Sequence, residues 1–168
     1  MRPVLVGIAP ARGGESGQPL SCIARGSTGA RLRNLLGMST YVYLSSFDRV
    51  NVCPMPKPST VKPKEFAEFA ENLMGSILRD RRVVFLGPNV AECFGIKRDV
   101  YAFCQLKYGS TSPTRGLAGW RVGSALPCEW SVIPHPSGRN LYYNDEENRF
   151  AVSQHLKEAI EDAKISSR

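Results

Sequence analysis

Only two histidines occur in the chain, and one of them, His135, lies in the stretch Trp130-Ser-Val-Ile-Pro-His-Pro-Ser-Gly-Arg-Asn-Leu-Tyr-Tyr-Asn-Asp145. An imidazole can donate a hydrogen bond to charge developing on a leaving group, or move a proton near neutrality. Trp130 to Ile133 is a short apolar run with β-branched residues. It predicts a buried strand that Pro134 and Pro136 stop abruptly. His135 then stands at the carboxyl end of a strand, the edge where open α/β sheets bind ligands. Ser137, Gly138, Arg139, Asn140 and Leu141 follow as a tight, partly basic loop. Such a loop suits contact with a polyanion and its bases, and a Pro-rich turn with a surface histidine accounts for the same residues.

Two further stretches offer chemistry. Asn51 interrupts the apolar run Arg49-Val-Asn-Val-Cys53. A buried amide must be hydrogen-bonded or it costs about 1–3 kcal/mol; near a strand end it either reads a ligand or bonds neighbouring backbone. Gly7-Ile-Ala-Pro-Ala-Arg-Gly-Gly-Glu-Ser-Gly17 is rich in glycine and small side chains. Such a loop can bring backbone N–H groups close to a ligand, and an ordinary flexible loop has the same composition. It matches neither the dinucleotide fingerprint nor a phosphate loop ending in Lys-Ser/Thr.

The elements that must position these residues alternate between strand and helix. Residues 3–8 are continuously apolar, as a parallel strand covered on both faces should be. Ser27 or Thr28 caps a helix with Leu32, Leu35 and Leu36 on one face and Gly37 at its end, Arg31 and Arg33 facing solvent. Arg49 to Cys53 is the second strand, closed by Pro54, Pro56 and Pro58. Lys64 to Arg79 carries Phe66, Phe69, Ala70, Leu73, Met74 and Ile77 at helical spacing, a core stripe. Val83 to Gly87 is the third strand and Pro88 to Phe94 a short helix, whereas Lys107 to Gly123 reads as a loop on the binding side. After the fourth strand, Asn144 or Asp145 with Glu147 forms a capping box for a closing helix marked by Phe150, Val152, Leu156, Ala159, Ile160 and Ala163. The order predicts one α/β domain over residues 1–168, with a short four-stranded parallel sheet flanked by helices on both faces.

Composition agrees. The 168 residues suffice for one full core, and no apolar run of about 18 residues exists to span a membrane. Lys and Arg number 22 against 15 acids, a net charge of +7, and 15 of the 22 are arginine. That balance favours phosphate contacts. The cysteines are Cys22, Cys53, Cys93, Cys104 and Cys128, odd in number and without Cys-x-x-Cys. They argue against a zinc ribbon, an iron–sulfur site or a disulfide scaffold, and for buried thiols in a reducing cytoplasm. No metal or cofactor is expected, and a monomer is.

Taken together these pieces resemble the uracil-DNA glycosylase superfamily. Gly7-Ile-Ala-Pro-Ala11 is similar to the first motif of its broad-specificity branch, Gly-Leu-Ala-Pro-Ala. Val50-Asn51-Val52 resembles the strand whose Asn bonds the Watson–Crick edge of a flipped base, and His135-Pro-Ser-Gly-Arg-Asn140 resembles the second motif. The resemblance implies a DNA partner and makes His135 the base-contacting histidine. It gives Ala9, Pro10, Ala11 and Asn51 to the base pocket, and Ser137, Gly138, Arg139, Asn140, Leu141, Arg12 and Arg121 to the DNA face, with Leu141 filling the vacated stack. Hydrolysis of an N-glycosidic bond builds positive charge on the sugar and negative charge on the departing base. The site must then place a donor at the base oxygen, hold a water and exclude others.

The departures from the family are informative. Ala9 stands where the uracil-specific branch has a water-binding Asp, which leaves Glu15 as the candidate for positioning water or as a solvated loop acid. Ala11 replaces a Tyr that closes the pocket against the pyrimidine 5-position, so the resemblance implies room for a substituent or a larger base. No lysine occupies a motif position to form a Schiff base, which argues against lyase chemistry. Cluster-bearing branches place cysteines before the first motif, and none precedes Gly7. The reading is a monofunctional glycosylase of a modified, 5-substituted pyrimidine, with antiviral defence against phage DNA as its setting, and with three alternatives: a repair glycosylase for uracil and deaminated bases, a non-catalytic module binding a modified base, and an unrelated α/β enzyme that holds phosphate on the Gly-rich loop.

Overall fold

The computed structural model describes residues 1–10, 18–53, 63–96, 121–122 and 128–165. Ala11, Arg12, Glu15 and the expected loop as far as Trp120 lie outside them. In chain order the elements are β1 (Val4–Gly7), α1 (Thr28–Leu35), α2 (Thr40–Ser46), β2 (Asp48–Asn51), a 3-10 turn (Pro63–Phe66), α3 (Ala67–Ser76), β3 (Arg82–Leu86), α4 (Pro88–Cys93), β4 (Arg121–Val122), β5 (Glu129–Ile133), a second 3-10 turn (Leu141–Asn144) and α5 (Glu146–Ile165).

The sheet order is β2-β1-β3-β5-β4. The four expected strands are all parallel, in register Val4 with Asp48 and Val83, and Val83 with Trp130. Side chains alternate between the two faces, as strand geometry requires. Val4, Val6, Val83, Phe85, Trp130 and Val132 pack with the α3 and α4 layer, while Leu5, Val84, Leu86 and Ile133 pack with α1, α2 and α5. Helices thus cover both faces. Strand order reverses between β1 and β3, so their carboxyl ends flank the switch point at which sheets of this kind hold ligands.

Several local expectations are corrected. Arg121 and Val122 are no loop: they form a short antiparallel edge strand, and the register sets Arg121 level with Trp130, near the amino end of β5. The segment before β2 carries α2, capped by Ser39, whose hydroxyl accepts from Val42 N at 3.2 Å. Phe69 and Ile77 are 39% exposed, and Leu78 takes the core position instead. At the end of the stripe the cause is the helix stop: α3 ends at Ser76, and Leu78 N closes back on Leu73 O at 3.1 Å, which departs from helical spacing. Phe150 is also exposed, because the buried face of α5 runs through Asn148, Val152, His155, Leu156 and Ala159. Asp145 does cap that helix, accepting from Asn148 N at 3.1 Å. Glu147 is exposed, and Asn148, three residues after the cap, is buried and donates to Tyr142 O at 2.9 Å.

Candidate active site

Three stretches singled out by sequence meet at the carboxyl edge of the sheet. β1 ends at Gly7 and the chain turns through Ile8, Ala9 and Pro10, all half-buried; Ile8 and Ala9 rest on the core. β2 ends beside it at Asn51, in register with Gly7, and Val52 N and Cys53 N continue the pairing to Gly7 O and Ile8 O at 2.9 and 2.8 Å. This fixes the first-motif turn against the Asn51 strand. The contact is close: a methyl on Gly7 would fall 2.6 Å from Asn51 Oδ1. Only glycine leaves that amide where it is.

Asn51 Oδ1 is buried and has no hydrogen-bond partner. Among the described residues the amide does not bond neighbouring backbone, which was the alternative to ligand reading. An orphaned acceptor in the interior costs about 1–3 kcal/mol. Arg81 Nε and Trp130 Nε1 share that state at the other end of the sheet; Asn51 is set apart by its place at the carboxyl end of its strand, beside the turn after β1.

His135 follows β5 by two residues and is held by its backbone from several sides. Its carbonyl accepts from Ser137 N at 2.8 Å and Asn140 Nδ2 at 2.9 Å, and Tyr143 Oη donates to Pro134 O at 2.5 Å. From β3, Gly87 N donates to Ile133 O at 2.8 Å. Gly87 has φ +99°, and a methyl there would come within 2.9 Å of His135 Cβ. Glycine is therefore required twice over, by backbone conformation and by the histidine packed on it. The imidazole makes no hydrogen bond to the described residues, and its burial pushes its pKa below the ordinary histidine value. Burial thus favours the neutral ring, which has one N–H to donate and one lone pair. β2 and β5 stand three strand spacings apart, roughly 14 Å, so Asn51 and His135 bound opposite flanks of one edge.

The loop after His135 divides its labour. Asn140 is spent internally, donating to His135 O and accepting from Tyr142 N at 3.1 Å; it shapes the loop that carries the histidine. Gly138 and Arg139 are exposed, and Leu141 is 76% exposed at the start of the 3-10 turn. A large apolar side chain so displayed fits insertion into a base stack. Arg31 on α1 does not simply face solvent: it reaches across to this loop, where a methyl on Gly138 would meet its Nη2 at 2.6 Å.

Gly87, Arg31 and Tyr143 escaped the sequence reading. A glycine closing an apolar strand before Pro88 was the available signal for the first; nothing in one sequence reveals a contact between α1 and a loop about a hundred residues later. Arg121 is placed away from this edge by its register with Trp130. The second histidine, His155, is buried on α5 and bonded to Ser131 Oγ at 2.8 Å, so it is structural. Among the described residues no group of three or more His, Cys, Asp or Glu could hold a metal ion.

The family model described as the uracil DNA glycosylase superfamily matches residues 1–164. Among curated proteins none matches the chain.

Proposed function

Because the chain belongs to the uracil DNA glycosylase superfamily, whose members are DNA N-glycosylases, we propose that it is a monofunctional glycosylase that flips a base from DNA and hydrolyses its N-glycosidic bond. The observation that carries the reading is the unengaged pair, Asn51 and a neutral His135, on opposite flanks of the switch-point edge.

Extruding the base costs a few kcal/mol, and Leu141 fills the space it leaves. Asn51 bonds the edge of the base, satisfying its orphaned oxygen or turning its amide to donate. His135 donates its N–H to the base oxygen where negative charge collects as the bond breaks. A neutral donor held by a fixed backbone needs little reorganisation at that moment. Water adds to the sugar carbon and gives up a proton to solvent, while the base departs with its bonding electrons and takes up a proton from solvent, so that the net reaction divides one water between sugar and base. Ala9 supplies no carboxylate to hold that water, and Glu15 is our candidate for the task.

The absence of a ring at Ala11 favours a 5-substituted pyrimidine over plain uracil. Bases of that kind occur in phage DNA, so the biological setting we propose is defence, in the cytoplasm. Ala9 also favours a second reading, a module that binds a modified base without cleaving it.

The test is to incubate the protein with uracil-containing DNA, unmodified DNA and DNA bearing bulky 5-substituted pyrimidines, and to identify released bases by mass spectrometry. Release from modified DNA alone is expected. Release of uracil would place the protein in repair. Tight binding of modified DNA with no release would establish the second reading.

A further inference from the structure

Beside the His135 loop, α1 and α5 line a cleft of about 320 Å³, within the range of small-ligand sites. Arg31 and Arg149 enter it from the two helices, Asn34 and Ser137 add neutral polar groups, and Leu35 and Pro136 supply apolar wall. No acid lines it, and among the described residues neither arginine is paired with a carboxylate. Asn34 Oδ1 is occupied by Arg33 Nε and Nη2 at 3.2 and 2.8 Å, which leaves its amide N–H groups for the cleft.

Arg31 is held in place. Its Nε donates to Gly26 O at 3.1 Å, so the guanidinium is fixed at one end, and its Nη2 end lies over the backbone of Gly138. Two guanidinium groups converging with hydroxyl and amide donors are the chemistry that recognises a phosphate ester. We propose that this cleft is a second DNA subsite, taking a backbone phosphodiester of the strand whose base occupies the candidate active site. Gly138 is then needed because Arg31 passes over it. The inference rests on the reading of the chain as a DNA-binding glycosylase. It adds that α1 and α5, and not the motif loop alone, set the path of the strand.

The experiment is equilibrium binding to a labelled duplex without any target base, across a salt series, so that catalysis is not involved. Arg31→Ala and Arg149→Ala are each expected to weaken binding about tenfold, as for one lost charged hydrogen-bonding group. Each should also lower the slope of log K against log salt by about one. Arg79→Ala, an exposed arginine before β3, should change neither. Gly138→Ala should reproduce the loss seen in Arg31→Ala and add little in its background, since coupled sites are non-additive. Thermal unfolding of each variant separates lost binding from lost fold. Equal loss on duplexes with and without a 5′-phosphate supports an internal phosphodiester, whereas loss confined to phosphorylated ends overturns that assignment in favour of a terminal phosphate. Wild-type affinity and slope in the double variant, with base release intact, would overturn the cleft and leave the glycosylase reading standing. A wild-type protein that binds no duplex at any salt would sink both.

Discussion

Asn51 and His135 are costly residues to keep where they are. The buried oxygen of Asn51 has no partner among the described residues, and an unpaired buried acceptor costs stability. Removing the amide should not weaken the protein: Asn51→Ala is expected to leave unfolding by denaturant unchanged or raise it by up to about 1–2 kcal/mol, while base release falls below detection. A residue kept for structure would give the opposite pair of results. For His135 the sign follows from burial, which disfavours the imidazolium. If the neutral form is the donor, base release stays level as pH falls through about 6.5, the ordinary value, and declines only at lower pH. His135→Ala should lower the rate roughly 10²–10³-fold and abolish that acid limb. An acid limb lying above 6.5 would contradict the role.

At the scale of elements, α5 is tied to the sheet by polar contacts inside an otherwise apolar layer. His155 lies 5% exposed beneath α5 with Ser131 of β5 as partner, and burial, helped by the Arg82 charge, pushes its pKa down to about 4. The unfolded chain takes up a proton near pH 6.5 and the folded one does not. Stability is therefore complete above 6.5, falls as pH drops from 6.5 to about 4, and levels off below. The loss amounts to something on the order of 3 kcal/mol. Urea midpoints at pH 7 and 4.5 measure it, and the difference should shrink in His155→Gln. Legibility in the sequence varied between elements for physical reasons. β1, β3 and β5 were readable because burial on both faces makes them nearly continuously apolar, and Pro134 and Gly87 marked where the last two stop, whereas β2, an edge strand half-buried along Asp48-Arg-Val-Asn51, was legible only through Val50 and the prolines that follow. The helix α2 was not, since Tyr41-Val-Tyr-Leu44 has no helical period and Tyr41 is 81% exposed. β4, of two residues, is below any periodic signal. In the site, Asn51 and His135 stood out as polar residues at strand ends, whereas the fit of Gly87 to His135 and of Arg31 to Gly138 is long-range packing that one sequence does not display.

At the scale of the molecule, described arginines at the two ends of the sheet differ in their partners. At the amino ends of the strands the arginines meet acids: Arg81 Nη2 lies 2.5 Å from Asp48 Oδ2, and Arg2 is 3.9 Å from the same carboxylate. Arg82 binds Glu129 at 2.6 Å and also Asp162 of α5. At the carboxyl ends, around the candidate site, Arg31, Arg139 and Arg149 have no carboxylate partner among the described residues. Arg31, Arg139 and Arg149 thus present uncompensated charge beside His135 and Leu141, and an anion attracted to them meets the candidate site. The two groups of arginines should respond oppositely to substitution. Arg139→Ala is expected to lower the salt slope of DNA binding by about one with no change in unfolding, because its side chain is exposed and unpaired. Arg82→Ala should leave that slope unchanged and lower the unfolding midpoint, because it leaves Glu129 and Asp162 facing each other without their shared cation. If Arg82→Ala instead reduced the slope, the amino edge would be in contact with DNA, and the assignment of the binding face to the carboxyl edge would be wrong.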